Sequence, residues 1–283
     1  MMPMPLDGRV ALVTGSGQGI GQAIAAMFAE RGATAVFSDV AQDRAQAAAE
    51  AVARSGRRAE ALHLDVADPG SVSAAFAEIV RRHGRLDILV NNAGIGINAP
   101  FVDFRLEDFE LSLKVNLTGA FLCGQAAARQ MLAQRPLTQR TGTQHTGTPG
   151  ERRGKIINIV SLSGQRGGMG RAGYGASKAG LELLTRVMAT ELAGRGINVN
   201  AIAPGPIATA LSAAVHAAGG TRDAYLFLTP QHRYGEVSEI AQAALFLASA
   251  DSDYVNGHTL NVDGGFGAAG LMYPLPSQPA AAG

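Results

Sequence analysis

The sequence predicts an α/β fold: a doubly wound parallel sheet of about seven strands, with helices on both faces, in a single domain. Three observations predict it. Short β-branched runs alternate with longer helical patterns along the chain. The strand runs are continuously apolar, as a sheet buried on both faces requires. The first strand opens into a glycine-rich turn and a helix.

The elements follow in order. Residues 10–13 form the first strand and residues 20–31 the first helix. A strand at 34–38 leads to a helix near 42–55. A third strand at 59–64 leads to a helix near 71–83. The fourth strand, 86–90, is followed by two helices, near 106–115 and 117–134. The fifth strand, 155–160, precedes a long helix over 174–194. The sixth strand is 197–202. A long loop region with short helices leads to a helix near 238–249 and a last strand at 258–262. The catalytic domain is expected over 1–270. Residues 271–283, with three prolines, read as an arm or a disordered tail. Residues 135–153 are rich in Thr, Gln, Gly and Arg without a period, and read as a solvated, mobile insertion.

Bulk composition limits the function. The chain has 283 residues, 47% hydrophobic, enough for one sizeable core. A formal net charge of +1 gives no field for nucleic acid or an anionic membrane, and neither is an expected partner. The single cysteine, Cys123, excludes an intrachain disulfide and reads as a reduced core thiol. No apolar run is long enough to span a bilayer, and residues 1–6 lack a secretory pattern. A soluble cytoplasmic protein is expected.

The turn Thr14-Gly15-Ser16-Gly17-Gln18-Gly19-Ile20-Gly21 sits between strand and helix. A dinucleotide pyrophosphate needs free backbone N–H groups at the positive end of a helix. It also needs glycines where side chains would block its approach. Asp39 ends the second strand, about 20 residues past the turn. A carboxylate there accepts hydrogen bonds from the adenosine ribose and repels a 2′-phosphate. Gln18 offers no base to neutralise such a phosphate. Both point to NAD rather than NADP. The plainer reading of Asp39 is a cap for the next helix.

Tyr174 and Lys178 stand four apart on a helix and so share a face. An ammonium beside a phenol stabilises the phenolate and lowers its pKa, fitting the tyrosine for proton transfer near neutral pH. Ser161 ends the preceding strand, and the strand ends of a parallel sheet face the ligand crevice. Its hydroxyl can hold a substrate oxygen against the tyrosine; taken alone, it could equally be a cap.

Together these motifs resemble the short-chain dehydrogenase/reductase family, in its simple single-domain branch with a Rossmann-type sheet. The resemblance covers roughly residues 6–266, apart from the insertion. Residues 14–21 fit that branch's TGxxxGxG turn. Asp65 and Val66 match the pair that holds adenine. Asn91, Asn92, Ala93 and Gly94 match its NNAG run. Asn116 matches its active-site asparagine, and Ser161, Tyr174 and Lys178 match its serine and YxxxK. Pro204, Gly205, Pro206, Ile207 and Thr209 match the loop flanking the nicotinamide.

The resemblance implies that Tyr174 exchanges the proton and that Ser161 fixes the substrate oxygen. It implies that Lys178 bonds the nicotinamide ribose and that Asn116 holds a proton-relaying water. The plainer reading of Asn116 is bonding within its own helix. The resemblance also implies a homotetramer, packed through the long helices and the last strand. No metal is expected.

The expected substrate is a secondary alcohol or ketone of the polyol or sugar type. Specificity is expected from residues 95–101, 162–171 and 211–234, which carry Ile97, Met169, Leu226 and Phe227 beside Asn98, Ser163 and Gln165. Of these, Ser163 and Gln165 are candidate substrate ligands. The resemblance extends to 3-oxoacyl-(acyl-carrier-protein) reductases. Those usually use NADPH and dock their carrier near the end of the helix before the fifth strand, where this chain has its insertion. A reading of another class, a non-catalytic NAD(H)-binding regulatory protein, is disfavoured by the presence of both Tyr174 and Lys178.

Overall fold

A computed structural model describes residues 4–137, 152–215 and 220–270. The insertion's central stretch and the predicted tail therefore lie outside the described residues. The strands are β1 (Val10–Val13), β2 (Thr34–Asp39), β3 (Ala59–His63), β4 (Ile88–Asn91), β5 (Gly154–Ile159), β6 (Ile197–Pro204) and β7 (Thr259–Val262). They form one sheet in the order β3-β2-β1-β4-β5-β6-β7. Every pairing is parallel. The order reverses between β1 and β4, and the carboxyl ends of these strands open the crevice where α/β sheets bind ligands.

The helices are α1 (Gly19–Glu30), α2 (Gln42–Ala53), α3 (Pro69–His83), α4 (Leu106–Leu113), α5 (Gly119–Ala133), α6 (Ala172–Leu192), α7 (Ala210–Val215), α8 (Thr221–Leu228) and α9 (Val237–Ala248). Successive strand residues point to opposite faces, so each strand feeds two cores. Ala11 and Val13 of β1 join Ile24 and Phe28 of α1 and Ile240 and Leu247 of α9 on one face. Val10 and Leu12 join Val72, Phe76 and Ile79 of α3 and Cys123, Ala127 and Met131 of α5 on the other. Fully burying one side chain of this size contributes about 2 kcal/mol. The Cys123 thiol is buried, and desolvation pushes its pKa up to about 12, as expected of a core residue.

Local signals explain the helix ends. Asp68 caps α3, accepting from the N–H groups of Gly70 at 3.2 Å and Ser71 at 2.8 Å, with Pro69 in the first turn. Gly84 closes the same helix in the left-handed region, with φ 68°. The side chain of Glu236 accepts from the N3 backbone of α9, and the Glu239 side chain accepts in return from the Glu236 N–H at 2.8 Å.

The structure corrects one element. The two helices expected over 106–115 and 117–134 run on as one rod, α4 and α5 joined by a π turn at Lys114–Thr118. A π turn holds one residue more than an α turn, and such turns occur frequently at functional sites. At the insertion, the Leu137 N–H donates to the Arg152 carbonyl at 2.7 Å, so the two ends of that stretch meet. No helix among the described residues is long and apolar enough to cross a membrane.

Candidate active site

The site grows from the carboxyl ends of β1, β4, β5 and β6. The turn after β1 is tight because Gly15 takes φ 61°, a conformation that favours glycine. It also lies so close to the next loop that a Cβ on Gly15 would stand 2.7 Å from Ala93 Cα. Thr14 Oγ1 accepts from the N–H groups of both Asn92 and Ala93 at 3.0 Å. The Asn92 amide donates back to the carbonyls of Thr14 and Gly15 at 3.0 and 2.9 Å. Gly21 leaves room for that amide, which would stand 2.4 Å from a Cβ there.

The first turn of α1 is built for an anion. Gln18 precedes it without a side-chain cap, and no acidic residue stands in the turn, so no side chain caps the first N–H groups of the helix. Thr209 of the loop after β6 reaches the same place, its Cγ2 lying 3.9 Å from where a Gly19 Cβ would be. That loop leaves the sheet at Pro204. Gly205 donates to the Val262 carbonyl at 3.0 Å, and Ile207 is buried and bridges to Gly235.

At the other side of the turn, the Asp39 carboxylate is buried. It accepts from Gly17 N–H at 3.2 Å, from Ala41 N–H at 3.0 Å and from Arg44 Nη2 at 3.3 Å. Asp39 therefore ties the glycine turn to the entry of α2 without capping that helix, whose N-cap is Ala41. Arg44 is an addition that the motifs do not reveal, and its side chain is 45% exposed. Asp65 organises the loop after β3 by accepting from Ala67 N–H at 2.9 Å. Val66 packs against Gly119, where a Cβ would stand 2.7 Å from Val66 Cγ2.

The candidate catalytic residues gather around the loop after β4. Asn116 lies in the π turn and is buried. Its Oδ1 accepts from Ile95 N–H at 2.8 Å, and its Nδ2 donates to the Ile95 carbonyl at 3.0 Å and to Ser177 Oγ at 3.0 Å. The bonding is thus between elements rather than within its own helix. Ser177, a link the motifs do not reveal, donates in turn to the Tyr174 carbonyl at 2.7 Å. Lys178 is 3% exposed, and its Nζ donates to the Ile159 carbonyl at 2.8 Å. A Cβ on Gly94 would lie 3.5 Å from Lys178 Nζ, and one on Gly96 would lie 3.9 Å from Tyr174 Cδ2. The loop that touches Gly15 therefore also touches Lys178 and Tyr174, which joins the phosphate turn to the catalytic pair.

Ser161 follows β5 and starts the short turn Leu162–Gly164, its Oγ accepting from Ser163 N–H at 3.1 Å. Gly164 lets this turn lie directly on α6, where a Cβ would meet Lys178 backbone at 2.7 Å. The Ser161 hydroxyl acts on the Tyr174 phenol and favours its ionised form.

The electrostatics differ from the simple expectation. Burial pushes the Tyr174 phenol above its ordinary pKa, and the Ser161 hydrogen bond and the charge of Arg171 pull against that rise. Lys178 faces the ring of Tyr174, 5.7 Å from its centroid, and burial draws its own pKa down to about 8. Ser161 and Arg171 are thus the groups that pull the phenol down here, while the Lys178 ammonium stands against the ring.

The substrate side holds surprises too. Gln165 is exposed and exchanges two amide hydrogen bonds with Asn261, at 3.2 and 3.1 Å, and Ser163 is half-buried. Met169 is 101% exposed and Phe227 is also exposed. The aromatic that turns inward from α8 is Tyr225, which packs against Tyr234 and Phe266 and acts electrostatically on Tyr174. Helical spacing in so short an element did not separate Tyr225 from its neighbours.

A seven-stranded parallel sheet, a glycine turn at its switch point and a Ser–Tyr–Lys cluster across the same crevice define a nucleotide-dependent oxidoreductase. The family model described as enoyl-(acyl carrier protein) reductase matches residues 15–267. The chain belongs to the short-chain dehydrogenase/reductase family, whose members are oxidoreductases acting on CH–OH groups with a pyridine nucleotide.

It is similar to the 3-oxoacyl-[acyl-carrier-protein] reductase of Thermotoga maritima, 36% identical over 93% of this chain and 99% of the relative. That of Vibrio cholerae is 38% identical over 93% and 98%. Among solved structures, a gluconate 5-dehydrogenase from Burkholderia cenocepacia in complex with NADP and tartrate is 41% identical, with a TM-score of 0.84, over 94% of this chain and 98% of that one.

Proposed function

We propose that this chain transfers a hydride between NAD(H) and a secondary alcohol or ketone of the polyol or sugar type, with Tyr174 as general acid and base. The observation that carries the reading is that the loop after β4 meets both the glycine turn tied to Asp39 and the cluster of Tyr174 and Lys178. The likeness to a gluconate 5-dehydrogenase supports a polyhydroxy substrate.

The residues fit a dinucleotide. Gly15, Gln18, Gly19, Ile20 and Gly21 receive the pyrophosphate, and Asp39 receives the adenosine ribose. Asp65 and Val66 flank the adenine. Asn92, Ala93, Gly94, Pro204, Gly205, Ile207 and Thr209 line the nicotinamide half, with Tyr174 and Lys178 at its ribose. When bound, the nicotinamide accepts or gives the hydride. Ser161 Oγ holds the substrate oxygen, and Tyr174 Oη takes its proton in oxidation and returns it in reduction. A charged Lys178 favours the phenolate once the substrate has displaced water.

A second reading, reduction of a 3-oxoacyl group on a carrier protein, is supported by the 36–38% identity to such enzymes. The two readings differ in cofactor and in substrate. Polyols and 3-oxoacyl thioesters should be assayed with both nucleotides at equal concentration. The main reading expects the best kcat/KM for a polyol or sugar with NAD. Faster reduction of the thioester with NADPH would replace it with the second. Tyr174→Phe is expected to lower kcat by about a thousandfold or more while NADH binds within a few-fold.

We also propose a homotetramer. Phe121 of α5 and Leu183 and Val187 of α6 are exposed on the single chain, and β7 forms an edge of the sheet. A solution mass of one chain would refute it.

A further inference from the structure

The guanidinium of Arg171 stands beside the catalytic phenol. It lies 5.5 Å from the centroid of the Tyr174 ring, and its Nη1 lies 3.8 Å from the point where a Gly96 Cβ would be. Tyr174 Cδ2 lies 3.9 Å from the same point. The cation is therefore wedged between the loop after β4 and the ring, on the half-buried rim of the site. The charge is unexpected there on structural grounds. Arg171 immediately precedes α6, where the helix end is already positive. Among the described residues no carboxylate forms an ion pair with it, and its one recorded side-chain contact of this kind is with the Tyr174 ring. The neighbouring Arg166 is also engaged, donating to the Phe266 carbonyl at 2.7 Å.

An arginine presents five donors in a planar fork that matches a carboxylate. The contact with the ring of Tyr174 limits the freedom of the fork and keeps its charge beside that residue.

From this we infer that the substrate is a hydroxy acid, and that Arg171 is a specificity residue receiving its carboxylate while Ser161 and Tyr174 hold the reacting hydroxyl a few carbons away. The inference rests on the polyol or sugar reading and narrows it. In the oxidative direction the substrate carbinol loses a hydride to oxidised nicotinamide and a proton to Tyr174, leaving a keto acid. The carboxylate takes no part in bond making.

The test compares matched pairs that differ only in a terminal carboxylate or hydroxymethyl group: aldonates of four to six carbons against the corresponding alditols, with NAD and with NADP. The wild-type enzyme is expected to favour the best aldonate over its alditol by about thirtyfold or more in kcat/KM. Arg171→Met is expected to lower aldonate kcat/KM by about a hundredfold, chiefly through KM, and at least ten times more than it lowers that of the alditol. Arg171→Lys, which keeps the charge but not the fork, should restore part of the ratio.

Because Arg171 also acts on the Tyr174 proton, both substrates lose some rate; the ratio is the quantity that a purely electrostatic or structural role would leave unchanged. An unchanged ratio in Arg171→Met, or a wild-type preference for alditols, would overturn the inference and leave the polyol reading standing. No turnover of either series with either nucleotide would overturn the polyol reading itself, and this inference with it.

Discussion

Asn116 grips Ile95 with both ends of its amide, accepting from the N–H at 2.8 Å and donating to the carbonyl at 3.0 Å. This clamp fixes the loop that carries Gly94 and Gly96 against Lys178 and Tyr174. Asn116→Ala leaves two backbone groups without that partner, and is expected to cost about 2–3 kcal/mol of stability. Loosening the loop should also lower kcat by about tenfold or more. Urea unfolding and steady-state kinetics measure both. A stability change within about 0.5 kcal/mol would show that water replaces the clamp without penalty.

Arg44 Nη2 donates to the Asp39 carboxylate at 3.3 Å, and under the proposed function this pair selects the nucleotide. Removing the carboxylate frees a half-exposed guanidinium at the place where a 2′-phosphate would sit. Asp39→Ala is expected to shift the NADP-to-NAD ratio of kcat/KM by about tenfold or more towards NADP. Asp39→Ala with Arg44→Ala should lose most of that gain. A double variant as active with NADP as the single one would take Arg44 out of the account.

The direction of pH dependence follows from the proton on Tyr174. Oxidation needs the phenolate, and burial holds the phenol above its ordinary range despite Ser161 and Arg171, with Tyr225 adding to the rise. Oxidative kcat/KM is therefore expected to keep climbing through the alkaline range, while reduction, which needs the protonated phenol, holds through neutrality. Ser161→Ala removes a group that lowers the pKa, so the oxidative limb should move to higher pH as its height falls. A limb that moves to lower pH would contradict the assignment.

The ends of the stretch 135–153 meet through the 2.7 Å bond between Leu137 and Arg152. Arg153 ties the same stem down by donating to the carbonyls of Leu132 and Gln134 at 3.2 and 3.0 Å. Deleting residues 138–148 is expected to leave the melting temperature within a few degrees, about 1 kcal/mol. An insoluble product would give that segment a structural role.

Much of this was legible in the sequence, because the determinants are local. The strands, helices and phosphate turn follow from apolar periodicity and from glycines where side chains have no room. Tyr174 and Lys178 share a face by helical geometry alone. The π turn was not legible, since one surplus residue looks like a break between two amphipathic stretches. Arg44, Ser177 and Arg171 were missed for another reason. Each acts through a partner that only the folded chain supplies: Asp39 for Arg44, Asn116 for Ser177, and Gly96 and the Tyr174 ring for Arg171. The burial that raises the Tyr174 phenol was not legible either, since no sequence pattern reports how deeply a side chain is desolvated.

The surplus residue between α4 and α5 works as a fixed angular offset. One residue rotates a helix by about 100°. Removing any one of residues 114–118 would let the backbone close into an ordinary spiral, yet α4 would swing away from α6 or α5 from its seat beside β4. No single side chain swap could repair the mismatch. Tolerance to deletion in this rod should therefore be lowest at the five positions where its winding is loosest.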